Sequence, residues 1–131
     1  MSEILAIGES RSMRIDSRLR SNRTGIMVEA GSTYRFEASG VWKDKETCCG
    51  PDGYPSPKWY FRLFEWCRRL PSANWFALCG QVPGESRPFL IGSQAERTMG
   101  VTGELSCFAN DLRIMYANNS GSIDLTVTRL R

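Results

Sequence analysis

Polar and apolar residues alternate along much of this chain, and this pattern limits the possible folds more than any other sequence feature. It is clearest in three segments, residues 24–30, 33–42 and 123–128. Side chains of a β-strand point to opposite faces in turn, so the alternation predicts strands with one buried and one solvated face. Residues 24–30 and 33–42 flank a Gly31-Ser32 turn, and we expect them to form a hairpin.

Shorter segments of the same kind raise the expected number of strands to eight or nine. They lie at residues 3–7, 12–15, 75–82, 87–91 and 103–108. Strands that recur between turn signals favour two packed sheets. At 131 residues the chain has the usual length of one domain. We therefore predict an all-β fold, a single β-sandwich over residues 1–131.

One segment departs from the strand pattern and predicts a short amphipathic helix around residues 57–70. Its polar residues recur at helical spacing, at Lys58, Arg62, Glu65 and Arg69. Pro71 follows it and favours a stop. The rest of its surface is rich in aromatic side chains, including Trp59 and Trp66. Large aromatic residues are usually buried, so we expect them to cover an open end of the sandwich.

Composition excludes several function classes. The chain has no histidine, which removes Ser-His-Asp and Cys-His catalysis within it. Its net charge of +3 is too small to indicate nucleic-acid binding. No leader pattern and no long apolar run is present, so we expect a cytoplasmic protein without membrane insertion. An odd count of five cysteines is a poor basis for a disulfide framework.

The stretch before the last strand is rich in side-chain oxygens. It contains Asn110, Asp111, Asn118 and Asn119 within ten residues. Calcium takes six to eight oxygen ligands from carboxylates, amides and backbone carbonyls, and this stretch offers all three kinds. The alternative is that Asn-Asn-Ser-Gly simply makes a turn, since Asn and Gly favour turn conformations.

The same stretch resembles the bacterial galactose-specific, calcium-dependent lectins of the PA-IL type. The resemblance is carried by Asn110-Asp111, Tyr116 and the run Asn118-Asn119-Ser120-Gly121-Ser122, which match the family's closing motif without a gap. It implies a lectin-like jelly-roll sandwich, similar to galactose-binding folds, that binds calcium and carbohydrate. It extends from about residue 24 onward, although only this closing motif is specific.

The resemblance also implies a set of site residues. The side chains of Asp111, Asn118 and Asn119 would bind calcium, with backbone carbonyls from Met115 and from the loop near Asp44. The metal would then coordinate two sugar hydroxyls. Asp111 and Asn118 would adjoin the sugar, and the loop with Gly50-Pro51-Asp52-Gly53 would add Asp52 and Tyr54 at the rim of the site.

Three functions therefore remain open. The first is a non-catalytic, calcium-dependent carbohydrate-binding module, although the sugar is undetermined because the family's sugar-contacting histidine has no counterpart here. The second is a protein-interaction or assembly module, such as a homo-oligomer, in which the metal loop has become a strand. In support of the second, Leu112, Ile114 and Tyr116 alternate as a strand would. The third is a glycosidase, but no pair of carboxylates has a spacing that singles it out.

Overall fold

The computed structural model describes residues 2–56, 59–112 and 115–131. The strands in these residues are β1 (Ser10–Asp16), β2 (Asn22–Val28), β3 (Thr33–Asp44), β4 (Thr47–Cys49), β5 (Leu78–Gln81), β6 (Phe89–Leu90), β7 (Gln94–Thr98), β8 (Gly103–Ala109) and β9 (Asn119–Arg129). Two 3₁₀ helices accompany them, Trp59–Cys67 and Tyr116–Asn118. We call the first of these the aromatic helix.

The strands form two antiparallel sheets. The first has the order β1-β9-β3-β4, with β7 also paired to β3, and the second has the order β2-β8-β5-β6. The longest pairing joins β3 to β9, from Tyr34 opposite Arg129 to Asp44 opposite Asn119. The last pair of this register places Asp44 beside Asn119, two predicted site residues, at one end of the sandwich.

The core lies between the two sheets and is built by the alternation seen in the sequence. Ile123, Leu125 and Val127 of β9 are fully buried, as the pattern predicts. Phe36 of β3 meets Phe89 of β6 across the layers, with ring centroids 5.7 Å apart. The all-β sandwich predicted from the sequence is confirmed.

The predicted hairpin is wrong. β2 pairs with β8 in one sheet, whereas β3 pairs with β9, β7 and β4 in the other, so residues 29–32 cross from sheet to sheet. β2 and β3 each carry one apolar face. Because they lie in different sheets on opposite sides of the core, both apolar faces are buried. Alternation predicts a strand and its buried side, but it does not identify the partner.

Two strand assignments also differ from expectation: one predicted strand is almost absent, and one observed strand was not predicted. The predicted strand at residues 3–7 reduces to one isolated bridge between Glu3 and Ile26. No pattern in the sequence indicates β7, which has no fully buried residue. Ala95 is the one apolar residue of this strand and packs against the core, so the strand lacks the repeated apolar residues by which alternation is recognised.

The aromatic helix confirms a helical segment but corrects its type and packing. It is 3₁₀ rather than α-helical, and the Pro57 and Lys58 of the predicted helix lie outside the described residues. Trp59 and Trp66 are each 75% exposed, and Leu63 and Phe64 are also exposed. The expectation that its aromatic residues cover the core is therefore wrong for these side chains. In a 3₁₀ helix, residues three apart eclipse each other, so Leu63 and Trp66 share one outward ridge.

The structure also describes the helix lengths and the state of the cysteines. Across residues 2–56, 59–112 and 115–131, no helix has the length and apolar character needed to cross a bilayer. All five cysteines are free thiols, with Cys79 and Cys107 buried in the core.

Candidate ligand site at the end of the sandwich

An open pocket of about 640 Å³ lies where β3 ends and the segment after β8 begins. We call it the Asp111 pocket. Its polar lining is contributed by Asp44, Lys45, Glu46, Thr47, Asp111 and Asn118. Its remaining lining is aromatic or apolar, from Tyr54, Phe61, Phe64, Trp75, Leu112 and Met115. The pocket thus combines hydrogen-bonding groups with a large apolar surface, the usual make-up of a small-molecule site.

Asp111 is the most unusual polar residue of this pocket. It is only 3% exposed, and its Oδ1 accepts a hydrogen bond from the Leu112 N–H at 2.7 Å. Its Oδ2 is buried and has no hydrogen-bond partner among the described residues. Burial, together with the nearby Asp44 carboxylate, raises the pKa of Asp111 from 3.8 to about 6. A buried oxygen without a hydrogen-bond donor lowers the stability of the protein unless a ligand contacts it.

Asn119 presents a second oxygen of the same kind. Its side chain is 3% exposed and is oriented by a bond from Nδ2 to the Ser17 carbonyl at 2.9 Å. This leaves Oδ1 buried, with no partner in the part of the chain that the structure describes. Asn119 lies close enough to Asp111 to oppose the rise in that residue's pKa, yet it makes no hydrogen bond of standard geometry with Oδ2. Asp111 Oδ2 and Asn119 Oδ1 therefore each lack a donor of standard geometry among the described residues.

Asp44 approaches the site from β3. It is half-buried, lines the pocket, and accepts a hydrogen bond from the Tyr54 hydroxyl. Burial, and then this bond to Asp44, raise the pKa of the Tyr54 hydroxyl, so Tyr54 stays a neutral donor. The two predicted site residues thus bond each other at the pocket wall.

Asn118 and Met115 belong to the loop that closes the pocket. Both are exposed and both line it. The Asn118 carbonyl accepts from the Lys45 N–H at 3.2 Å, which ties this loop to the end of β3. The Met115 carbonyl accepts a long bond from the Asn118 N–H, at 3.5 Å. The fold therefore places Asn118 and Met115 in the lining of the same pocket as Asp111.

Leu112 and Tyr116 do not extend a strand. Leu112 lies outside any strand, and Tyr116 starts the short 3₁₀ helix Tyr116–Asn118. The idea that the metal loop has become a strand is therefore wrong for these residues, and Ile114 lies outside the described part of the chain. Tyr116 instead turns inward, and its hydroxyl donates to the Ala109 carbonyl at 2.6 Å.

Asp52 does not line the Asp111 pocket. Its carboxylate accepts from the Ser93 N–H at 2.8 Å and from the Ser93 hydroxyl at 2.9 Å. These bonds fasten the loop after β4 to the segment that leads into β7. The structure thus gives Asp52 a bracing contact outside the lining of the pocket.

Asn110 also braces the site rather than offering a free oxygen. It is fully buried. Its Nδ2 donates to the carbonyls of Leu70, Ala73 and Asn74, and its Oδ1 accepts from the Leu70 N–H at 2.9 Å. Its side-chain hydrogen bonds therefore fix the segment after the aromatic helix beside Asp111.

Gly53 allows the Tyr54 loop to approach the sandwich closely. Its φ is +70°, and a Cβ built there would lie 2.1 Å from the Trp75 carbonyl oxygen. The next residue, Tyr54, donates its N–H to that same carbonyl at 2.9 Å. Only glycine fits this close, left-handed position. The Gly-Pro-rich loop predicted from the sequence thus has a packing reason to be glycine-rich.

Several lining residues were missed by the sequence reasoning. Phe61 and Phe64 come from the aromatic helix, and Trp75 and Leu112 come from two other loops. Phe61 packs edge-on against Trp75, with ring centroids 6.1 Å apart. The sequence contains no signal for this grouping, since only the tertiary fold brings the aromatic helix to the Asp-Asn loop.

The donor set suits a hard cation better than a soft one. No group of three or more His, Cys, Asp or Glu side chains that could hold a metal occurs among the described residues. The predicted site residues instead offer the carboxylates of Asp44 and Asp111, the amides of Asn118 and Asn119, and backbone carbonyls. Such oxygens are calcium ligands rather than zinc ligands. The unpartnered Asp111 Oδ2 and Asn119 Oδ1 fit such an ion because they are acceptors to which no described group donates.

Comparisons with known proteins identify the fold but no family. No protein-family model and no curated protein matches the chain. Among solved structures, the chain is similar to the N-terminal domain of EclA, described as a PllA-like lectin. The TM-score is 0.70 at 20% identity, over 90% of this chain and 94% of that one. A likeness at this identity shows a lectin-like sandwich fold.

Proposed function

We propose that this protein is a non-catalytic carbohydrate-binding module that holds its ligand through calcium in the Asp111 pocket. One observation carries the proposal: Asp111 and Asn119, whose side chains interact, each bury one oxygen that accepts no hydrogen bond of standard geometry from the described residues. Native proteins rarely leave such atoms unpaired without a functional reason. The lectin-like fold and the PA-IL-type closing motif support the same assignment.

The proposed calcium ligands differ in their position and burial. Asp111 and Asn119 form the buried side of the ion site, and Asp44 approaches from β3. Asn118 and the Met115 carbonyl are the exposed ligands that close it. Calcium, when bound, supplies positive charge and open coordination positions for two neighbouring sugar hydroxyls. Galactose is the sugar that the resemblance implies, although the family's sugar-contacting histidine has no counterpart in this chain.

The apolar lining gives the sugar a second kind of contact. Pyranose rings carry C–H groups on one face, and aromatic rings bind such faces by apolar packing. Phe64 is half-exposed and lines the same pocket as Asp111. Tyr54 sits at the wall with its hydroxyl on Asp44, where it limits how the ligand approaches. Asp52, which is bonded to Ser93, takes no part in this proposal.

Calorimetric titration with calcium chloride tests the metal. We expect saturable binding in the wild type, removed by prior addition of EDTA. Asp111→Asn should abolish binding because it removes a ligand charge. Asp124→Asn is the matched control: it removes an exposed carboxylate on β9 whose ion pair with Arg14 is long, at 3.8 Å. No heat of binding at millimolar calcium in the wild type would rule out the metal.

A glycan array tests the carbohydrate ligand. The protein should bind a subset of glycans in calcium buffer and lose them in EDTA. Asp111→Asn should fail to bind these glycans even in calcium buffer, whereas Asp124→Asn should bind them like the wild type. A blank array together with intact calcium binding would leave a metal-binding module and refute the lectin.

A second candidate is a protein-interaction or assembly module, and the aromatic helix favours it. Trp59, Leu63, Phe64 and Trp66 together expose a large apolar surface on one short helix. Exposed apolar patches of this kind commonly mark interaction surfaces. Light scattering on a size-exclusion column distinguishes the two candidates: self-association that Trp66→Ser abolishes supports assembly through this helix. A monomer at all concentrations argues against a homo-oligomer.

A further inference from the structure

A second pocket, of about 440 Å³, lies beyond the other end of the aromatic helix and shares no described lining residue with the Asp111 pocket. It is formed by the segment after this helix, the end of β5 and the segment before β6. Its hydrogen-bonding lining consists of Arg69, Ser72, Gln81, Ser86 and Arg87. Its other residues are Leu70, Pro71 and Pro88, so its described lining contains two cations and no carboxylate. We call it the Arg87 pocket.

Arg69 is held in this pocket by neutral groups. Its guanidinium lies over the Phe108 ring, 3.4 Å from the centroid. It donates to the Arg20 carbonyl, to the Tyr116 hydroxyl at 3.1 Å, and weakly to Gln81 Oε1 at 3.4 Å. Its Nε is buried without a partner among the described residues. A half-buried cation with only neutral partners leaves its charge uncompensated.

Arg87 brings a second positive charge to the same pocket. It is exposed, and no carboxylate of the described residues lies within ion-pair distance of it or of Arg69. The nearest acidic residue in sequence, Glu85, is paired with Arg97 at 2.8 Å. Most other arginines do find a carboxylate, namely Arg11, Arg14, Arg18, Arg23, Arg35, Arg97 and Arg129.

We infer that the Arg87 pocket binds an oxyanion: a sulfate, phosphate or carboxylate group. Guanidinium groups match the geometry of such anions and bind them with charge-assisted hydrogen bonds. The hydroxyls of Ser72 and Ser86 add neutral donors at the same pocket. The oxyanion is either a free inorganic ion or an acidic group carried on a saccharide. The inference stands apart from the calcium proposal, because the two pockets have separate linings.

Titration followed by ¹⁵N NMR on the metal-free 131-residue chain tests the inference. Sodium sulfate replaces sodium chloride at constant ionic strength, so that general screening does not change. We expect saturable shifts of the Arg69 and Arg87 Nε–Hε signals. Arg87→Gln should weaken binding at least about fivefold, as expected for the loss of a charge-assisted contact. Arg87→Lys, which keeps the charge, should lose less.

Arg62→Gln is the matched control, because it removes one exposed arginine of the aromatic helix that lines neither pocket. It should bind sulfate like the wild type. Parallel titrations with glucuronate and neutral glucose identify the source of the anion. Sulfate alone points to a free ion, whereas tighter binding of glucuronate points to an acidic sugar.

Non-saturating shifts, or equal weakening in Arg62→Gln and Arg87→Gln, would overturn the inference and leave only general charge attraction. The calcium titration is read separately on the same variants. Arg87→Gln should bind calcium like the wild type, so failure of one proposal is distinguishable from failure of the other.

Discussion

The carboxylate of Asp111 and the amide of Asn119 each place one buried oxygen at the end of the sandwich without a hydrogen-bond donor from the described residues. Both side chains are otherwise fixed, Asp111 by the Leu112 N–H and Asn119 by the Ser17 carbonyl. Under the proposed function, this arrangement is preorganised for a ligand and costs stability when no ligand is bound. Binding sites often combine these two properties, because function opposes stability there.

Asp111→Asn should stabilise the metal-free protein. The substitution removes a buried charge, keeps an acceptor for the Leu112 N–H, and adds an amide donor beside Asn119. We expect the free energy of unfolding at pH 7 to rise by about 1–3 kcal/mol. Urea denaturation of the metal-free protein measures this. Asp124→Asn, on the exposed face of β9, should change it by less than about 0.5 kcal/mol. A destabilised Asp111→Asn variant would contradict the idea that this charge is costly.

The metal-free protein should gain stability on acidification through Asp111. The folded-state pKa of this carboxyl is raised to about 6 from 3.8, so the folded state binds more protons between these values. Its contribution is therefore fully present below about pH 4 and is lost as the pH rises through about 6, by up to about 3 kcal/mol. The free energy of unfolding is measured by urea denaturation from pH 4 to 8 for the wild type and for Asp111→Asn. The difference between the two proteins isolates the effect of Asp111 from that of the other carboxylates. A difference that does not vary with pH would refute the raised pKa.

Asn110→Ala should be strongly destabilising, because its side chain joins β8 to the segment after the aromatic helix through bonds to Leu70, Ala73 and Asn74. Its removal takes away the only described partner of the Leu70 N–H and of the Ala73 carbonyl, and we expect a loss of about 2–4 kcal/mol. Thermal and urea unfolding measure it. Ser21→Ala, which removes a polar side chain at an exposed position before β2, is the control and should be nearly neutral. Equal effects at the two positions would show that the bonds of Asn110 contribute little.

Gly53→Ala and Gly31→Ala form a matched pair. Both glycines have positive φ, +70° and +85°, but a Cβ at Gly53 meets the Trp75 carbonyl oxygen at 2.1 Å while a Cβ at Gly31 meets nothing within 4 Å. Gly31→Ala should cost about 1 kcal/mol for conformation alone. Gly53→Ala should cost at least about 2 kcal/mol more, since overpacking adds to the conformational cost. Urea denaturation compares them, and similar losses would contradict the close approach of this loop.

The alternation of residues 123–128 was sufficient to predict β9 and its buried face, because side-chain period and burial are both local properties of a strand. It was not sufficient to place residues 24–30. That segment is a strand, as expected, but it pairs with β8 rather than with β3. Partner choice depends on which apolar faces can meet across the core, and two similar faces look alike in a sequence.

Residue types and their spacing were enough to identify the oxygen-rich stretch around Asp111, Asn118 and Asn119, because residue type and spacing are properties of the sequence itself. The resemblance already implied that the loop near Asp44 joins them. The three-dimensional fold was needed to show that Asp52 and Asn110 serve as braces and that the aromatic helix faces outward beside the pocket. The fold was also needed to show that Arg69 and Arg87 share a pocket with no carboxylate in its described lining. These relationships link residues far apart in the chain, and long-range packing rather than local pattern sets which of them meet.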